Sequence, residues 1–521
     1  MTSNDYGGDA TVTNMATAYG DGSGDTPYGY PVAYAQAGSD HIITGEDDDT
    51  ISGGALAASD YGTATANNTA ATTGVLTGVG SQLDIISGAG NDTIYADGGE
   101  GPYYGDGNDI VAGDALATGE GGTAEANNSA SVNVTAEYGS NGSYFFADAG
   151  NDLIDGGEGF NVLSGDAATT DVYGGDATAN NDAAVDGAEG RAGAGNDTIS
   201  AYGDYYGYSD IVAGDALTTA YGATATANNT ADADGQEGFA EAGNDDIRLY
   251  GTEYDYVAGD ALAYGASTLA ETNNTATATG MYNEASAGED DINLTSAYRS
   301  TVAGDSLTTA GYFSTADVEN TATATQYGGA HAGGDDIYTG YYADTVSGGA
   351  LANGGNSEAV IVNTATASDY GHALAGDDQI YSHGGNDIVA GDALASSFNS
   401  TATSTNDATA NGNGYANAGG DDIYSGHGND LVAGDAMTSD ENGDEATANN
   451  TATANDAGSY AEAGNDYLSD GEDTFSGGSG DDTVAGGALT VAEGIDALTD
   501  NDAFVTTEGG QAFAGNDTIY S

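Results

Sequence analysis

The sequence predicts an all-β fold, a right-handed parallel β-solenoid of about 10–11 coils with three strands in each coil. A unit of 43 to 60 residues, measured between equivalent glycines, recurs along the 521-residue chain. Within each unit, short runs of Thr, Val, Ile and Tyr lie between Gly-Asn-Asp turns, which is the pattern of strands. Gly, Thr, Asn and Asp are poor residues for a helix interior, so no helix is predicted. Residues 1–521 are therefore expected to form one continuous solenoid, roughly 50 Å long at a strand spacing of about 4.8 Å.

The composition narrows the possible partners of the chain. It contains 83 acidic residues, no lysine and three arginines (Arg191, Arg248 and Arg299), which gives a net charge of −80. Such a charge repels nucleic acid and anionic membrane surfaces and attracts cations. Because glycine is abundant as well, the alternative for the cation-free chain is disorder. The lack of cysteine excludes disulfide bonds and thiolate metal sites.

Two aspartate motifs recur in step with the unit. The first is Ala-Gly-x-Asp, and we call its members the AGxD aspartates. The second begins D-x-V-x-G-D-A-L, and we call its leading residues the DxV aspartates. The AGxD aspartates are Asp40, Asp92, Asp152, Asp197, Asp245, Asp290, Asp335, Asp378, Asp421, Asp466 and Asp517. The DxV aspartates are Asp49, Asp109, Asp210, Asp255, Asp344, Asp387, Asp430 and Asp482, with Asn161 and Ser300 in the same place in two further units.

A third segment of the unit reads TATANNTATA with variations. It alternates with period two, so one face of the strand carries Thr and the other carries Ala and the second Asn. We expect that second Asn to point inward and to form a ladder of amide hydrogen bonds from coil to coil. Inward alanines bury little apolar surface, so the solenoid needs another source of stability. The predicted ladder consists of Asn68, Asn128, Asn181, Asn229, Asn274, Asn320, Asn363, Asn406, Asn450 and Asn501.

Bound cations are the predicted source of that stability. Stacked coils place aspartates about 4.8 Å apart in columns, where each neighbouring pair repels by roughly 1 kcal/mol even in water. A divalent cation with oxygen ligands reverses this repulsion, and calcium accepts the loose geometry of carboxylates and backbone carbonyls. We therefore predict that both sets of aspartates bind multiple Ca²⁺ ions. The alternative is that these residues only cap β-turns, a common role for aspartate.

The turns resemble those of a known family. Within several units the two aspartates lie nine residues apart, as in Asp378 and Asp387. The segments GHGNDLV (426–432), HGGNDIV (383–389) and GSGDDTV (478–484) resemble the nonapeptide of RTX calcium-binding β-roll proteins. The resemblance implies a secreted, calcium-dependent parallel β structure with Asp side chains and Gly carbonyls as ligands. It covers about twenty residues per unit, and the intervening Thr/Ala/Asn segment favours a three-sided coil over a two-sided roll.

The two ends of the chain read as two halves of one coil. Residues 1–18 match the second half of a unit, and residues 514–521 match its first half. Joined end to end, Asp517 and Asp5 stand nine positions apart, as the internal pairs do, so Asp5 is a further candidate ligand. We expect the C-terminus of one subunit and the N-terminus of the next to complete a coil, which produces a head-to-tail homopolymer. The alternatives are a fragment of a longer array and coincidence in a repetitive sequence.

The expected function is that of an extracellular structural protein that polymerises into a filament or surface matrix. Enzyme activity is not expected, because paired carboxylates recur along the whole chain instead of marking a single site. The main alternative is a binding face, since outward threonines at alternate positions resemble the T-x-T arrays of β-solenoid ice-binding proteins. An adhesin RTX-like module from a longer array is the other alternative.

Overall fold

A computed structural model gives the architecture of the chain. It describes residues 9–21, 32–43, 50–58, 63–76, 84–96, 109–118, 121–136, 145–158, 160–170, 173–186, 190–202, 209–234, 238–250, 252, 254–295, 299–340, 342–368, 371–382, 385–396, 399–411, 414–425, 430–438, 445–455, 460–469, 483–486, 488–490, 497–505, 511–515 and 518–520. These residues form 53 strands and no α-helix. Every named strand pairs in parallel with strands of the neighbouring coils, so the predicted solenoid of 10–11 coils is confirmed.

Five parallel sheets run along the solenoid, and we number them in the order in which the chain visits them. Sheet 1 contains β1 (Ala10–Asp21), β6 (Thr63–Leu76), β11 (Thr123–Ala136), β16 (Ala177–Asp186), β21 (Thr224–Asp234), β26 (Leu269–Thr279), β31 (Thr315–Ala324), β36 (Glu358–Ala367), β41 (Thr401–Asn411), β46 (Glu445–Asn455) and β51 (Ala497–Val505). Sheet 2 contains β2 (Val32–Ala37), β7 (Asp84–Ala89), β12 (Phe145–Ala149), β17 (Gly190–Ala194), β22 (Phe239–Ala242), β27 (Glu284–Ala287), β32 (Gly329–Ala332), β37 (His372–Ala375), β42 (Tyr415–Ala418), β47 (Tyr460–Ala463) and β52 (Gln511–Ala514). Sheet 3 contains β3 (His41–Ile43), β8 (Thr93–Tyr95), β13 (Leu153–Glu158), β18 (Thr198–Tyr202), β23 (Asp246–Tyr250), β28 (Asp291–Thr295), β33 (Asp336–Thr339), β38 (Gln379–Ser382), β43 (Asp422–Tyr424), β48 (Tyr467–Ser469) and β53 (Thr518–Tyr520).

The two remaining sheets are built from shorter strands. Sheet 4 contains β4 (Thr50–Ser52), β9 (Ile110–Ala112), β14 (Val162–Ser164), β19 (Ile211–Ala213), β24 (Tyr256–Ala258), β29 (Thr301–Ala303), β34 (Thr345–Ser347), β39 (Ile388–Ala390), β44 (Leu431–Ala433) and β49 (Thr483–Ala485). Sheet 5 contains β5 (Ala55–Ala57), β10 (Ala115–Ala117), β15 (Ala167–Thr169), β20 (Ala216–Thr218), β25 (Ala261–Tyr264), β30 (Ser306–Tyr312), β35 (Ala350–Gly355), β40 (Ala393–Ala395), β45 (Ala436–Thr438) and β50 (Leu489–Thr490).

Each full coil therefore has five strands, and the expectation of three strands per coil is wrong. Two tight corners account for the difference. The Ala-Gly-x-Asp corner separates sheet 2 from sheet 3, and the Gly-Asp corner of G-D-A-L separates sheet 4 from sheet 5. Gly150, at the first kind of corner, has a φ of 62°, a left-handed conformation that favours glycine. Each corner divides into two strands a stretch of sequence whose apolar pattern alone predicts a single strand.

The interior is thin and rich in alanine, as the alternating pattern predicts. In β21, Ala225, Ala227 and Asn229 are buried, whereas Thr226 and Asn228 between them are only half-buried. Alanines of sheets 1 and 2 pack against each other along the solenoid. Isoleucine, valine and leucine fill the space between sheets 3 and 4. On the outer face of sheet 3, the rings of Tyr338 and Tyr381 stack with centroids 4.8 Å apart, which is the spacing of adjacent strands.

Candidate cation-binding columns

The AGxD aspartates form a buried column at the corner between sheets 2 and 3. The backbone N–H of each one donates to the Oδ1 atom of its equivalent in the next coil, as from Asp245 to Asp290 at 2.6 Å. The same contact joins Asp197 to Asp245 at 2.6 Å. Asp40, at one end of the column, is exposed. The Oδ2 atom is buried and has no hydrogen-bond partner in Asp92, Asp152, Asp197, Asp245, Asp290, Asp335, Asp378 and Asp421.

The DxV aspartates form a separate column at the start of sheet 4. The backbone N–H of Asp210 donates to Oδ1 of Asp255 at 3.0 Å, and that of Asp344 to Oδ1 of Asp387 at 2.9 Å. Where the motif changes, the ladder continues, because the backbone N–H of Ser300 donates to Asp344 at 2.8 Å. Asn161 likewise accepts from the backbone N–H of Asp109 at 3.2 Å. The predicted ligands Asp5, Asp49, Asp482 and Asp517 lie outside the described residues.

A third aspartate column was not predicted from the sequence. It consists of the aspartates at the second position of G-D-A-L, which are fully buried at the corner between sheets 4 and 5. We call them the GDA aspartates. The sequence feature that could have revealed this column is the recurrence of the aspartate in seven units. Glycine stands in its place in three others, as Gly54, Gly349 and Gly487. The GDA aspartates are Asp114, Asp166, Asp215, Asp260, Asp305, Asp392 and Asp435.

The inward asparagines of sheet 1 hold the GDA aspartates in place. The Nδ2 atom of Asn128 donates to Oδ2 of Asp114 at 2.7 Å and to Oδ1 of Asp166, in the next coil, at 3.0 Å. The same amide donates to Oδ1 of Asn181 at 3.0 Å, so the asparagines also bond to one another. Hydrogen bonds between side-chain amides form two such ladders. One runs from Asn14 through Asn68, Asn128, Asn181 and Asn229 to Asn274, and the other from Asn320 through Asn363, Asn406 and Asn450 to Asn501.

The AGxD and GDA columns meet inside the coil and form compact groups of three carboxylates. Within each group, one oxygen atom from each residue lies within 4.8 Å of the other two. The described residues contain five such groups, and none includes a DxV aspartate. The groups are Asp114 with Asp152 and Asp166, Asp166 with Asp197 and Asp215, Asp215 with Asp245 and Asp260, Asp260 with Asp290 and Asp305, and Asp392 with Asp421 and Asp435.

In the part of the chain that the structure describes, none of the three arginines balances this interior charge. Arg191 and Arg248 are about half exposed on the outer surface, where they pair with Glu241 and Asp246. Arg299 lies over the ring of Tyr254. The carboxyl groups of the interior are therefore left with amide donors and with one another.

Burial and mutual repulsion shift the acidity of these groups. Desolvation, followed by the charge of Asp114, raises the pKa of Asp92 to about 9. Desolvation raises the pKa of Asp114 to about 6, although hydrogen bonds from asparagine amides oppose the shift. In Asp152, burial and then the neighbouring Asp92 and Asp197 raise the pKa well above its usual range. The ionised interior is thus unfavourable at neutral pH unless a cation compensates it.

Comparison with known proteins shows that several turns of the chain match a known repeat family. The family model described as "RTX calcium-binding nonapeptide repeat (4 copies)" matches residues 32–55, 84–100, 138–176, 365–394 and 460–488. The chain contains RTX calcium-binding repeats. These RTX segments include the corners of Asp92, Asp152 and Asp378. No curated protein and no solved structure matches the chain.

The described residues fit the calcium that RTX repeats imply. The donors are oxygen atoms only, and each AGxD corner from Asp92 to Asp421 offers a buried carboxylate oxygen with no hydrogen-bond partner. Calcium lies about 2.3–2.6 Å from its ligands, so two ligands on opposite sides of one ion are about 5 Å apart. The 4.8 Å limit within the carboxylate groups agrees with that span. None of the described residues forms a helix long and apolar enough to cross a membrane.

Proposed function

We propose that the chain is an extracellular structural protein whose calcium-stabilised solenoid subunits polymerise head to tail into a filament or surface matrix. The observation that carries this proposal is the continuity of the AGxD ladder, in which each coil donates a backbone N–H to a carboxylate of the next coil. Such a ladder places its charges in a row, and bound calcium removes the repulsion between them. Calcium thereby becomes part of the structure and not an accessory to it.

The edges of the sheets support the polymer. In sheet 1, β1 and β51 each pair on one side only, and nothing in the described part of the chain covers their other sides. Solenoids that remain monomeric normally end in polar caps, and an open edge is a template for another strand. Every pair in the described sheets is parallel, so a second subunit that continues the sheets docks in the same direction. Repeated contacts of this kind do not close and therefore produce a filament.

The extracellular setting rests on the calcium requirement. Calcium modules that work outside cells bind the ion at about 10⁻⁴–10⁻³ M, concentrations at which many weak sites fill together. Salt outside the cell also screens the outward part of the net charge of −80. Under these conditions the solenoid folds where calcium is plentiful and stays unfolded where it is scarce.

Electron microscopy of the purified chain, with calcium and after chelation, tests the proposal. We expect thin filaments with calcium and their loss after chelation. A variant that lacks residues 1–18 should form only short rods, because most of the edge strand β1 is removed. The control replaces Thr11 and Thr13, which are exposed on β1, by serine and leaves the backbone edge unchanged. Filaments of unchanged length in the truncated variant, or filaments that persist in chelator, would contradict the proposal.

A second candidate function rests on the outer face of sheet 1. Thr275 and Thr277 align with Thr321 and Thr323, and these with Thr364 and Thr366, so three consecutive coils carry two threonines in register. Regular hydroxyl arrays of this kind resemble those of ice-binding solenoids. Asp407 interrupts one of the two columns in the next coil. Thermal hysteresis of the calcium-loaded protein tests this alternative, and its absence removes the ice-binding function.

A further inference from the structure

The five carboxylate groups formed by AGxD and GDA aspartates are buried inside the solenoid. We propose that they are a row of calcium sites enclosed along the solenoid axis. The GDA aspartates are then calcium ligands that the RTX repeat motif does not include. This inference rests on the proposed calcium-stabilised function and adds to it the residues and the place of the ions. Four of the groups are consecutive, from Asp114 to Asp305, and the fifth lies beyond an interruption.

The position of one carboxylate oxygen supports these sites. In Asp197, Oδ1 accepts a hydrogen bond from the backbone N–H of Asp152, whereas Oδ2 is buried without a hydrogen-bond partner. This Oδ2 lies at the Gly-Asp corners of two successive coils. A Cβ atom placed on Gly165 would come 1.5 Å from it and 2.1 Å from the carbonyl oxygen of Gly214. The GDA aspartates that follow these two glycines, Asp166 and Asp215, each have an oxygen within 4.8 Å of an oxygen of Asp197.

The hydrogen-bond donors near Asp166, Asp197 and Asp215 do not balance the negative charge of this carboxylate group. The Nδ2 atom of Asn181 donates to Oδ2 of Asp166 at 2.7 Å and to Oδ1 of Asp215 at 3.1 Å. These bonds satisfy the GDA carboxylates in part and leave Oδ2 of Asp197 without a donor. An unpaired buried charge costs several kcal/mol, so a positive charge within the group is strongly favoured.

The charges match a divalent ion. Each step along the consecutive groups adds one AGxD aspartate and one GDA aspartate, and hence two negative charges, for each new group. One Ca²⁺ per group neutralises that addition, and the GDA aspartate shared by adjacent groups bridges successive ions. The aspartates of these groups are at most 2% exposed. Magnesium normally retains several of its waters, so this enclosed set of oxygens favours calcium.

The interruption of the row is filled by an apolar side chain. At the seventh Gly-Asp corner the aspartate is replaced by Gly349, and a Cβ atom on Gly349 would come 2.0 Å from Cδ1 of Ile361. Equivalent positions of sheet 1 hold smaller side chains, as in Ala227, Thr272, Val318 and Ser404. Asp335 and Asp378, the AGxD aspartates on either side of this corner, belong to none of the five groups. Where the GDA carboxylate is absent, an apolar group thus occupies the space instead of an ion.

Enclosure has a kinetic consequence. An interior ion can leave only if backbone hydrogen bonds between coils open, such as that from Asp166 N–H to the carbonyl of Asp215 at 3.1 Å. Ions bound only to exposed carboxylates, such as that of Asp407, face no such barrier. The protein should therefore hold two classes of calcium, one that exchanges fast and one that exchanges slowly.

Retention of radioactive calcium by the full chain tests the inference. The loaded protein is moved into excess chelator, and the ions that remain bound are counted over time. We expect five slowly released ions per chain in the natural sequence, because the described residues form five groups. Asp215→Asn should retain three, since Asp215 belongs to two groups. The control Asp407→Asn changes an exposed aspartate on the outer face of sheet 1 and should retain five.

A gain-of-site variant keeps the test decisive if Asp215→Asn fails to fold. Gly349→Asp combined with Ile361→Ala restores the missing carboxylate and removes the side chain that fills its space. This variant should retain more slowly released ions than the natural chain. The inference is overturned if calcium folds the chain but all ions leave fast, or if neither variant changes the slow class. A chain that folds and assembles equally well without any calcium contradicts the proposed function itself, so the two failures are distinguishable.

Discussion

The Oδ2 atom of Asp245 lies directly over Gly214 of the preceding coil. A Cβ atom on Gly214 would come 1.7 Å from that oxygen and 2.0 Å from the carbonyl of Gly259. The same relation recurs at Gly113 with Asp152 and at Gly391 with Asp421. The AGxD carboxylate of the next coil therefore occupies the space that is left by the missing side chain of the glycine in G-D-A-L.

Substitution at this corner should be costly. Gly214→Ala forces a methyl group against a carboxylate and a backbone carbonyl, and we expect it to lower the free energy of unfolding by about 2–3 kcal/mol. Gly88→Ala is the control, because its Cβ would meet only Asn91 at 3.5 Å. Urea unfolding in calcium, followed by circular dichroism, measures both. Equal effects of the two substitutions would contradict the tight fit.

The inward and outward asparagines of sheet 1 should differ in importance. The Nδ2 atom of Asn229 donates to Asp215 at 2.7 Å and to Asn274 at 3.0 Å in the interior. Asn229→Ala removes the donor to Oδ2 of Asp215, which then keeps only the bond from Asn181 to its Oδ1. This loss should lower the free energy of unfolding by about 3 kcal/mol. Its neighbour Asn228 donates to Asn180 at 3.0 Å on the outer face, so Asn228→Ala should cost about 1 kcal/mol or less. The same urea experiment compares the pair, and a larger loss at Asn228 would be inconsistent with the interior role.

The calcium-free protein should show an inverted pH dependence of stability. Burial raises the pKa of Asp114 to about 6, of Asp305 to about 7 and of Asp92 to about 9. A carboxyl group whose pKa is raised in the folded state binds its proton more tightly there, so it favours folding below its unfolded pKa of about 3.9. That stability is lost as the pH rises through the folded pKa values, between about 6 and 9.

Circular dichroism in chelator across this pH range checks the expectation. The β signal should be strongest in acid and fade toward alkaline pH, whereas added calcium should restore it at neutral pH. Protons and calcium then compensate the same carboxylates. Calcium-free protein that is most stable at alkaline pH would refute this account.

Gly349 and Ile361 should be energetically coupled. Gly349→Ala places its Cβ 2.0 Å from Cδ1 of Ile361, and we expect a loss of about 1–3 kcal/mol. Ile361→Val removes Cδ1 and alone costs about 0.5–1.5 kcal/mol. In the double variant the alanine methyl group occupies the space that Cδ1 vacates, so the two losses should be less than additive by about 1 kcal/mol. A double-mutant cycle in urea measures this coupling, and strict additivity would show that the two residues do not share the space.

Much of the architecture could be predicted from the sequence. The period-two alternation of Ala and Thr in β21 and the recurrence of Asn229 and its equivalents are local patterns that any parallel stack preserves. The recurrence of Asp245 and its equivalents likewise predicts a column, because a repeat in register brings like residues together. The number of strands in a coil could not be predicted, because the sequence around the Gly-Asp corner is equally compatible with one uninterrupted strand.

The composition of the interior sites was decided by the tertiary structure. Asp215 and Asp245 are 30 residues apart in the sequence, and no local pattern tells whether their side chains meet across the coil. The same holds for Gly349 and Ile361, whose complementarity depends on how sheet 5 faces sheet 1. The sequence by itself therefore determined which residues stack along the axis, because stacking follows the repeat. Only the folded coil decided which columns face each other, because that depends on the angles of its corners.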